Sequence, residues 1–218
     1  MAVRDSAYDK ILKASAKLFA TKGYAATTTR MIVAEAGSSL SAIQTHFKSK
    51  EGIYRAVMES TTETFYTLNE PAFRSIEEIE RQGILAGDTA WDQIVMMTVS
   101  LIDWAYNPDY RYEILLMNQQ MVGLGAPEME LPDSMYGLYR MYAKLFRCYT
   151  GNTEGDWPEK LAFYIVTSAF DGANYPAVLD KLLGAPLVET ERLESMKSNL
   201  RNYLLTNMRA QLEPRCRA

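Results

Sequence analysis

Apolar residues recur at helical spacing along the chain, and short stretches rich in glycine, proline or polar residues separate one apolar stripe from the next. The first stripe consists of Ile11, Leu12, Leu18 and Phe19. Gly23 follows it in a position that suits a C-terminal cap, and the threonine run 27–29 offers a hydroxyl to cap a second helix. Gly37 closes that helix. The pattern predicts two consecutive helices before residue 38.

A short turn and a third helix follow. Ser39 can cap a helix over residues 40–46, and Ser49 can cap a longer one over about residues 50–69. Two helices joined by a short turn are the layout of a helix-turn-helix, whose second helix enters the major groove of DNA. Residues 11–54 therefore predict a segment that binds nucleic acid.

Glycine and proline punctuate the rest of the chain in the same way. Pro71 suits the first turn of a new helix, so the fourth helix is expected to end before it. Gly172 and Pro176 predict a kink or a break. No segment shows the alternation of a strand, so the sequence predicts an all-α protein with a three-helix head and a larger helical-bundle body. Its further helices are expected at about residues 89–106, from there to about 122, and at 133–149, 156–183 and 190–212.

Charge is distributed unevenly along the chain, whose formal net charge is −4. Residues 1–55 hold nine Lys or Arg against four Asp or Glu, and residues 56–218 hold 14 against 23. A cationic head on an anionic body concentrates the attraction to phosphate at one end of the molecule and orients an encounter with DNA.

The cysteine content and the length of the apolar runs predict the cellular compartment of the protein. Cys148 and Cys216 are the only cysteines in a chain large enough to fold without a covalent staple, so a reducing cytoplasm is expected and a disulfide framework is not. The chain does not open on a cationic and then apolar leader, and no apolar run approaches the roughly 18 residues of a membrane span. We expect a cytoplasmic protein with no membrane partner.

Several spaced motifs of the head, taken together, resemble the TetR family of bacterial transcriptional regulators over residues 8–55. The residues that carry the resemblance are Ile11, Leu18-Phe19, Gly23-Tyr24, Thr28, Arg30, Ile32, Ala36-Gly37, Ser39, His46-Phe47 and Ser49-Lys50-Glu51. The resemblance implies a helix-turn-helix DNA-binding domain at residues 1–55 and a regulatory and dimerisation domain at residues 56–218. It also implies a homodimer on a palindromic operator in double-stranded DNA, usually a repressor, released when a small molecule enters the body.

The third helix and its neighbours are the predicted DNA contacts. Gln44 stands where the family usually has a tyrosine that packs on the DNA backbone, so this contact is in doubt and Gln44 is a candidate for reading adenine. The plainer interpretation is a glutamine that faces solvent. The predicted contacts are Thr28, Arg30, Ser39, Leu40, Ser41, Ala42, Gln44, Thr45, His46, Lys48 and Lys50.

The roles within this set differ. The resemblance places a phosphate contact at Lys50, where the first turn of a helix favours an anion, and the alternative is a solvated surface lysine. Thr28 and Arg30 are expected to contact the DNA backbone, although Thr28 also fits a helix cap, and Ser39 fits a cap better than a base reader. His46 is expected to pack between the head helices and to reach a phosphate.

Gly52 departs from the family pattern, in which a helix former more usually follows the Lys-Glu pair. Glycine weakens the first turn of a helix by roughly 0.5–1 kcal/mol relative to alanine. Because the fourth helix links head to body, Gly52 predicts a softer joint.

The body is rich in methionine and aromatic residues, which commonly line adaptable apolar pockets and equally commonly fill cores. With the family resemblance, they predict a cavity for a mostly apolar or aromatic effector with few polar groups. The candidate ligand-binding residues are Trp104, Met117, Asn118, Met121, Tyr139, Tyr142 and Phe146.

The last two long helices are the candidates for a two-fold interface, because small residues on one of them allow close helix approach. The alternative is that the same stripes bury against their own body. The candidate interface residues are Leu161, Tyr164, Ile165, Ser168, Ala169, Leu200, Tyr203, Leu204 and Met208.

An enzyme would need a catalytic constellation, and the sequence shows no Gly-rich phosphate loop, HExxH, CxxC or nucleophile elbow. His46 is the only histidine and lacks a second ligand at metal spacing, so no catalytic residue, cofactor or metal is predicted. A sequence-tolerant architectural DNA binder would be strongly basic, which the net charge argues against. A transcriptional activator or an architectural protein without an effector remains the alternative, since the head of an activator would look the same.

Overall fold

A computed structural model describes residues 6–121, 123, 133–174, 181 and 190–216, with side chains for all of these except residues 133–135, 171–174, 190 and 192. Over these residues the chain forms nine α-helices and two short 3₁₀ turns, and no strand, which confirms the prediction of an all-α protein. The helices are α1 (Ala7–Lys22), α2 (Thr29–Ala36), α3 (Leu40–His46), α4 (Lys50–Arg81), α5 (Gly87–Ala105), α6 (Arg111–Met121), α7 (Asp133–Thr150), α8 (Trp157–Asn174) and α9 (Thr190–Leu212).

The first three helices begin where local chemistry places them. The hydroxyl of Ser6 accepts from the backbone N–H of Asp9 at 3.2 Å, and the Asp9 carboxylate accepts from the N–H of Ser6 at 3.0 Å, which closes a capping box. These bonds hold the pKa of Asp9 below its usual value. Thr28 caps α2 and Ser39 caps α3, as the sequence predicts.

Helix α4 is continuous through Pro71, and the predicted break before this residue is wrong. A proline inside a helix removes one hydrogen bond and costs about 3 kcal/mol. The apolar face nevertheless continues past it, since Ala72 and Ile76 are buried and Phe73 packs on Phe65 at a ring distance of 6.2 Å. Burial on both sides of Pro71 therefore outweighs the local penalty.

The predicted kink between Gly172 and Pro176 falls at the edge of the described chain. Helix α8 runs through Gly172 to Asn174, and Pro176 lies outside the described residues. Among the described helices, none is both long and apolar enough to cross a membrane.

The chain divides into two compact units. Unit 1 comprises residues 1–64 and 110–132, and unit 2 comprises residues 65–109 and 133–218. Helices α1 to α3, the first part of α4, and α6 therefore belong to unit 1, where α6 packs on α1. The rest of α4 and helices α5, α7, α8 and α9 belong to unit 2.

Each unit has an apolar core of its own. Around the buried side chain of Phe19, the core of unit 1 is formed by Ile11, Ile32, Ile43, Ile53 and Tyr54. The core of unit 2 is formed by Ile94, Met97, Leu101, Tyr142, Phe146, Ala169, Leu204 and Met208.

Candidate functional site

Helix α3 is anchored on one side and open on the other. Ile43 is its only buried residue, with 4% of its surface exposed. Ala42 is half-buried, and the exposed side chains are Leu40, Ser41, Gln44, Thr45 and His46. A short helix with one buried side chain, and with small and polar residues on its outer face, has the form that a major groove admits.

The turn before α3 fixes where this face begins. Gly37 adopts the left-handed conformation with φ 58°, where a side chain is disfavoured. Ser39 then accepts from the N–H of Ala42 at 3.2 Å and lies 2.8 Å from the hydroxyl of Ser41. Thr45 donates to the carbonyl of Ser41 at 2.9 Å. These hydroxyls are thus held in place and keep lone pairs that face outward.

Gln44 differs from its hydroxyl-bearing neighbours, because its amide makes no hydrogen bond to any other described residue. The amide is exposed and can both donate and accept. Its base-reading role stays a prediction, and the geometry leaves the group available for it.

The C-terminal end of α3 is held by aromatic packing. The ring of Phe47 is buried and stacks on Tyr8 of α1, with 4.8 Å between centroids and 18° between planes. His46 lies edge-on to Tyr8 at 5.9 Å and remains exposed. Tyr8 was not among the sequence candidates, and an aromatic residue two positions after the α1 cap was the one signal that the sequence offered.

The predicted backbone contacts around α3 are exposed. Thr28 accepts from the N–H of Met31 at 3.2 Å and so caps α2. Arg30 forms no ion pair within the described part of the chain. Lys48 is exposed and has φ 66°, which makes it the one described residue other than glycine in the left-handed region. This turn presents a lysine side chain just beyond the end of α3.

The ammonium of Lys50 has partners that the sequence did not indicate. It donates to the carbonyls of Tyr24 at 2.9 Å and Thr27 at 3.0 Å, and it lies 4.1 Å from the centre of the Tyr24 ring. Lys50 therefore ties α4 to the loop between α1 and α2. An ammonium has three donors, so one is left for the predicted phosphate contact.

An aromatic cluster beneath this loop connects α1 and α4 to α6. Tyr54 is fully buried, lies 5.4 Å from Phe19 and 5.5 Å from Tyr24, and donates from its hydroxyl to Gln120 at 2.8 Å. Burial raises the pKa of Tyr24. Gln119 donates to the carbonyl of Ala20 at 3.2 Å. Gln119 and Gln120 of α6 thus bind α1 and α4 within unit 1.

The predicted ligand-binding residues are divided between the two units. Met117 and Asn118 are buried and Met121 is half-buried in α6 of unit 1. The others, Trp104, Tyr139, Tyr142 and Phe146, lie in unit 2.

Within unit 2 the candidates sit in an aromatic environment. Tyr142 is fully buried and its hydroxyl lies 3.0 Å from that of Thr98, while burial raises its pKa. Burial also raises the pKa of Tyr139, to about 12. Trp104 packs on Phe65 at 4.8 Å and on Phe170 at 5.7 Å. Its buried Nε1 has no hydrogen-bond partner among the described residues.

The predicted interface residues fall into three groups. Ile165, Ala169, Leu204 and Met208 are buried in the core of their own unit. Leu161, Ser168 and Leu200 are half-buried. Two tyrosines, one on α8 and one on α9, stand out from the surface: Tyr164 is 63% exposed and Tyr203 is 64% exposed.

Known protein sequences are similar to the N-terminal segment of this chain. A family model described as "Bacterial regulatory proteins, tetR family" matches residues 11–57. The uncharacterized HTH-type transcriptional regulator YerO of Bacillus subtilis (strain 168) is 41% identical over 70 residues, which are 32% of this chain and 23% of that protein. The match thus spans less than a quarter of the length of this curated relative.

Solved structures extend the likeness to the fold of most of the chain. A bacterial regulatory protein in the tetR family from Rhodococcus RHA1 shares 20% identity and a TM-score of 0.66, over 93% of this chain and 97% of the other. A gamma-butyrolactone receptor (ArpA-like protein) shares 20% identity and a TM-score of 0.56, over 92% and 96%. At this identity the likeness concerns the fold alone.

Together these observations define a helix-turn-helix protein with a larger helical part. The resemblance to the TetR family of bacterial regulators is confirmed, in sequence over residues 11–57 and in fold over most of the chain. The family model and the curated relative both describe transcriptional regulators rather than enzymes. Within the described residues, no group of three or more His, Cys, Asp or Glu is placed to hold a metal ion.

Proposed function

We propose that this chain is a DNA-binding transcriptional regulator that acts in the cytoplasm as a homodimer, represses from a palindromic operator, and is released by a small, mostly apolar or aromatic effector. The observation that carries the proposal is the outer face of α3, which is exposed and mostly polar, whereas Ile43 is the one buried residue within the helix. DNA-binding residues at 1–55 and regulatory residues at 56–218 form the proposed division of function.

The charge around α3 supports DNA as the partner. Arg30 and Lys48 are exposed, and Lys50 keeps one donor beside them at the start of α4. Phosphate contacts of this kind set the register of a protein on DNA, and contacts from Gln44, Ser41 and Thr45 would then read the bases.

The outward face of α9 supports a homodimer. Tyr203 is exposed among side chains that carry no charge, and interface cores are depleted of charge and enriched in tyrosine. Tyr164 offers a second exposed ring on α8. A two-fold dimer places two α3 helices on the two half-sites of a palindrome. The exposed uncharged neighbours on α9 are Ser198, Asn199, Asn202, Thr206 and Asn207.

Two buried polar atoms on α5 support the proposal that a small-molecule effector binds. The Nε1 of Trp104 and the Oε1 of Gln93 have no hydrogen-bond partner among the described residues, and an unsatisfied buried group costs about 1–3 kcal/mol. A ligand that satisfies such a group gains this energy. One structural neighbour is a gamma-butyrolactone receptor, and a small-molecule effector for the present chain is proposed by analogy of fold.

Selection of sheared DNA from the source genome on the purified chain, near physiological salt, tests the proposal. We expect a few fragments that share an inverted repeat, with half-sites about one helical turn or a small multiple apart. Enrichment of no sequence beyond the input would overturn sequence-specific regulation.

Two matched variants sharpen this selection. Arg30→Ala should weaken binding to all sequences alike and reduce the salt slope by about 1, because it removes a phosphate contact. Gln44→Ala should change the preferred base at one position of each half-site. Unchanged preference in Gln44→Ala would show that this glutamine does not read a base.

The homodimer and the effector need separate measurements. Sedimentation should give a dimer for the wild type and a monomer for Tyr203→Arg, with Thr153→Arg, at an exposed position between α7 and α8, as the control that stays dimeric. A screen of small molecules should yield compounds that raise the unfolding midpoint and release the selected DNA fragment.

A further inference from the structure

We propose that Gly52 is the positioning residue of the recognition helix α3: the absence of a side chain at Gly52 lets the end of α3 rest on the first turn of α4, and this contact sets the angle at which α3 meets DNA. The inference rests on the proposed DNA-binding function and deepens it. All the groups involved belong to unit 1.

The contact is a close approach of backbone to backbone. A Cβ added to Gly52 would lie 2.0 Å from the carbonyl oxygen and 3.2 Å from the carbonyl carbon of Phe47. It would also lie 3.4 Å from the hydroxyl of Ser49. Ordinary contacts with a Cβ begin near 3.4 Å. A methyl group at position 52 therefore forces the Phe47 carbonyl to move.

That carbonyl has no easy way to move. The N–H groups of Phe47 and Lys48 both donate to the carbonyl of Ile43, at 2.8 and 2.9 Å, so the peptide that ends α3 is fixed. The N–H of Ser49 donates to the Phe47 carbonyl itself at 2.8 Å. Lys48, between them, already occupies the left-handed region that disfavours a side chain.

The ring of Phe47 prevents movement of the same peptide from the other side. It is 6% exposed and stacks on Tyr8 of α1. Since the backbone and the ring are both held, a displaced carbonyl must carry the end of α3 with it. His46, Thr45 and Gln44 lie in the last turn of that helix and would move with it.

The α4 side of the contact is equally fixed. The N–H of Gly52 donates to the hydroxyl of Ser49 at 2.9 Å, and the N–H of Ile53 donates to the Ser49 carbonyl at 3.1 Å. Ile53 is fully buried. The first turn of α4 is thus a firm platform, and the softer joint expected from glycine at this position is not the role that the geometry supports.

The direction in which Gly52→Ala shifts the unfolding midpoint tests the proposal. Replacing glycine by alanine in a helix with free space stabilises it, so the unfolding midpoint would rise. With the Phe47 carbonyl in the way, we expect the midpoint to fall. A midpoint above that of the wild type would contradict the proposal.

DNA discrimination separates positioning from stability. The probes are a duplex selected from a random library on the wild-type chain and poly(dI·dC), and the measured quantity is the ratio of the two affinities at a temperature where circular dichroism shows the variant folded. We expect Gly52→Ala to lower this ratio about tenfold to a hundredfold, as loss of base contacts does. A lower folded fraction alone would reduce both affinities equally and leave the ratio unchanged. An unchanged ratio contradicts the proposal.

Glu51→Ala is the matched control in the same turn, because it changes an exposed side chain and adds no atom near Phe47. It should leave the ratio at the wild-type value. If the wild type itself selects no duplex, the proposed function fails; if the wild type selects and Gly52→Ala discriminates as well, only the present inference fails.

A double variant covers the case in which Gly52→Ala does not fold. Lys48→Gly removes the strain at the left-handed residue and lets the turn shift away from position 52. The double variant should therefore regain the fold, and its ratio should lie less than tenfold below that of Lys48→Gly alone. Failure of the double variant to fold, or a ratio tenfold or more below that of Lys48→Gly, contradicts the proposal.

Discussion

Units 1 and 2 treat their buried polar groups differently. Buried or half-buried side chains donate to main-chain carbonyls in both units; they are Thr27, Lys50 and Gln119 in unit 1 and Asn69, Thr98 and Thr150 in unit 2. The units differ in the number of buried polar atoms that have no partner among the described residues. In the described part of unit 2, four buried polar atoms have no partner, against one, the hydroxyl of Ser15, in that of unit 1. The four are Gln93 Oε1, Trp104 Nε1, Trp157 Nε1 and Arg201 Nε.

The difference matches what each unit is proposed to do. A surface that reads DNA must hold its side chains within a fraction of an ångström, which requires that packing and hydrogen bonds fix the residues that support them. A unit that accepts an effector gains from buried groups that a ligand can satisfy. The comparison predicts that substitutions of similar chemistry have different consequences in the two units.

The largest expected effect separates stability from recognition. Ile43→Ala in unit 1 and Ile94→Ala in unit 2 each remove a buried side chain and should each lower the free energy of unfolding by about 2–4 kcal/mol. Only Ile43→Ala should also reduce discrimination between selected and random DNA, because Ile43 anchors α3. If the two folded variants discriminated equally between selected and random DNA, the proposed difference between units 1 and 2 would be wrong. Thermal unfolding and DNA titration measure the two quantities.

Thr27→Val tests the bonded polar groups of unit 1. Thr27 is fully buried, and its hydroxyl donates toward the carbonyls of Gly23 at 2.8 Å and Leu18 at 3.2 Å. Valine has the same shape and cannot donate, so the free energy of unfolding should fall by about 1–3 kcal/mol. Denaturant titration would measure it, and a change below a few tenths of a kcal/mol would mean that this hydroxyl does not fix the loop.

Gln93→Leu is the counterpart in unit 2 and should have the opposite sign. Gln93 is 7% exposed and its Oε1 has no partner among the described residues. Replacing this amide with an apolar side chain of similar size should raise the free energy of unfolding by up to about 1 kcal/mol. The same titration measures it. A marked loss of stability would reveal a structural partner for the amide.

Alkaline pH should lower the stability of unit 2 gradually, because burial raises the pKa of Tyr139. The pKa of Tyr139 is raised to about 12 by burial, whereas an unfolded tyrosine titrates near 10. Since the folded state holds its proton more tightly, the stabilisation is complete below pH 10 and is lost as the pH rises toward 12. Tyr139→Phe should flatten this decline in an unfolding series between pH 9 and 12, compared with the wild type over the same range.

Local chemistry explains why the sequence predicted unit 1 well at its start. Thr28, Gly37 and Ser39 act within four residues of their partners, so caps and turns are visible in the sequence. The path of α4 through Pro71 was missed because the burial of Ala72 and Ile76 is a property of the packed unit.

The hydrogen-bond partners of the candidate site were also hard to predict from the sequence, because they too depend on how the unit packs. Lys50 bonds to carbonyls 23 and 26 residues away, and main-chain oxygens carry no sequence signal. The packing of α6 on α1 joins segments about a hundred residues apart, as in the bond from Gln119 to Ala20. The sequence does not indicate these partners, and only the fold shows them.

The bonds from α6 also bear on the order in which the chain is synthesised. Gln120 is made 66 residues after Tyr54, and Gln119 is made 99 residues after Ala20. At about 5–20 residues per second, translation delays these partners by about 3–20 s. During that interval the surface of α1 that α6 will cover stays open on the ribosome. The helix-turn-helix, although translated before α6, gains these partners only when α6 has been made.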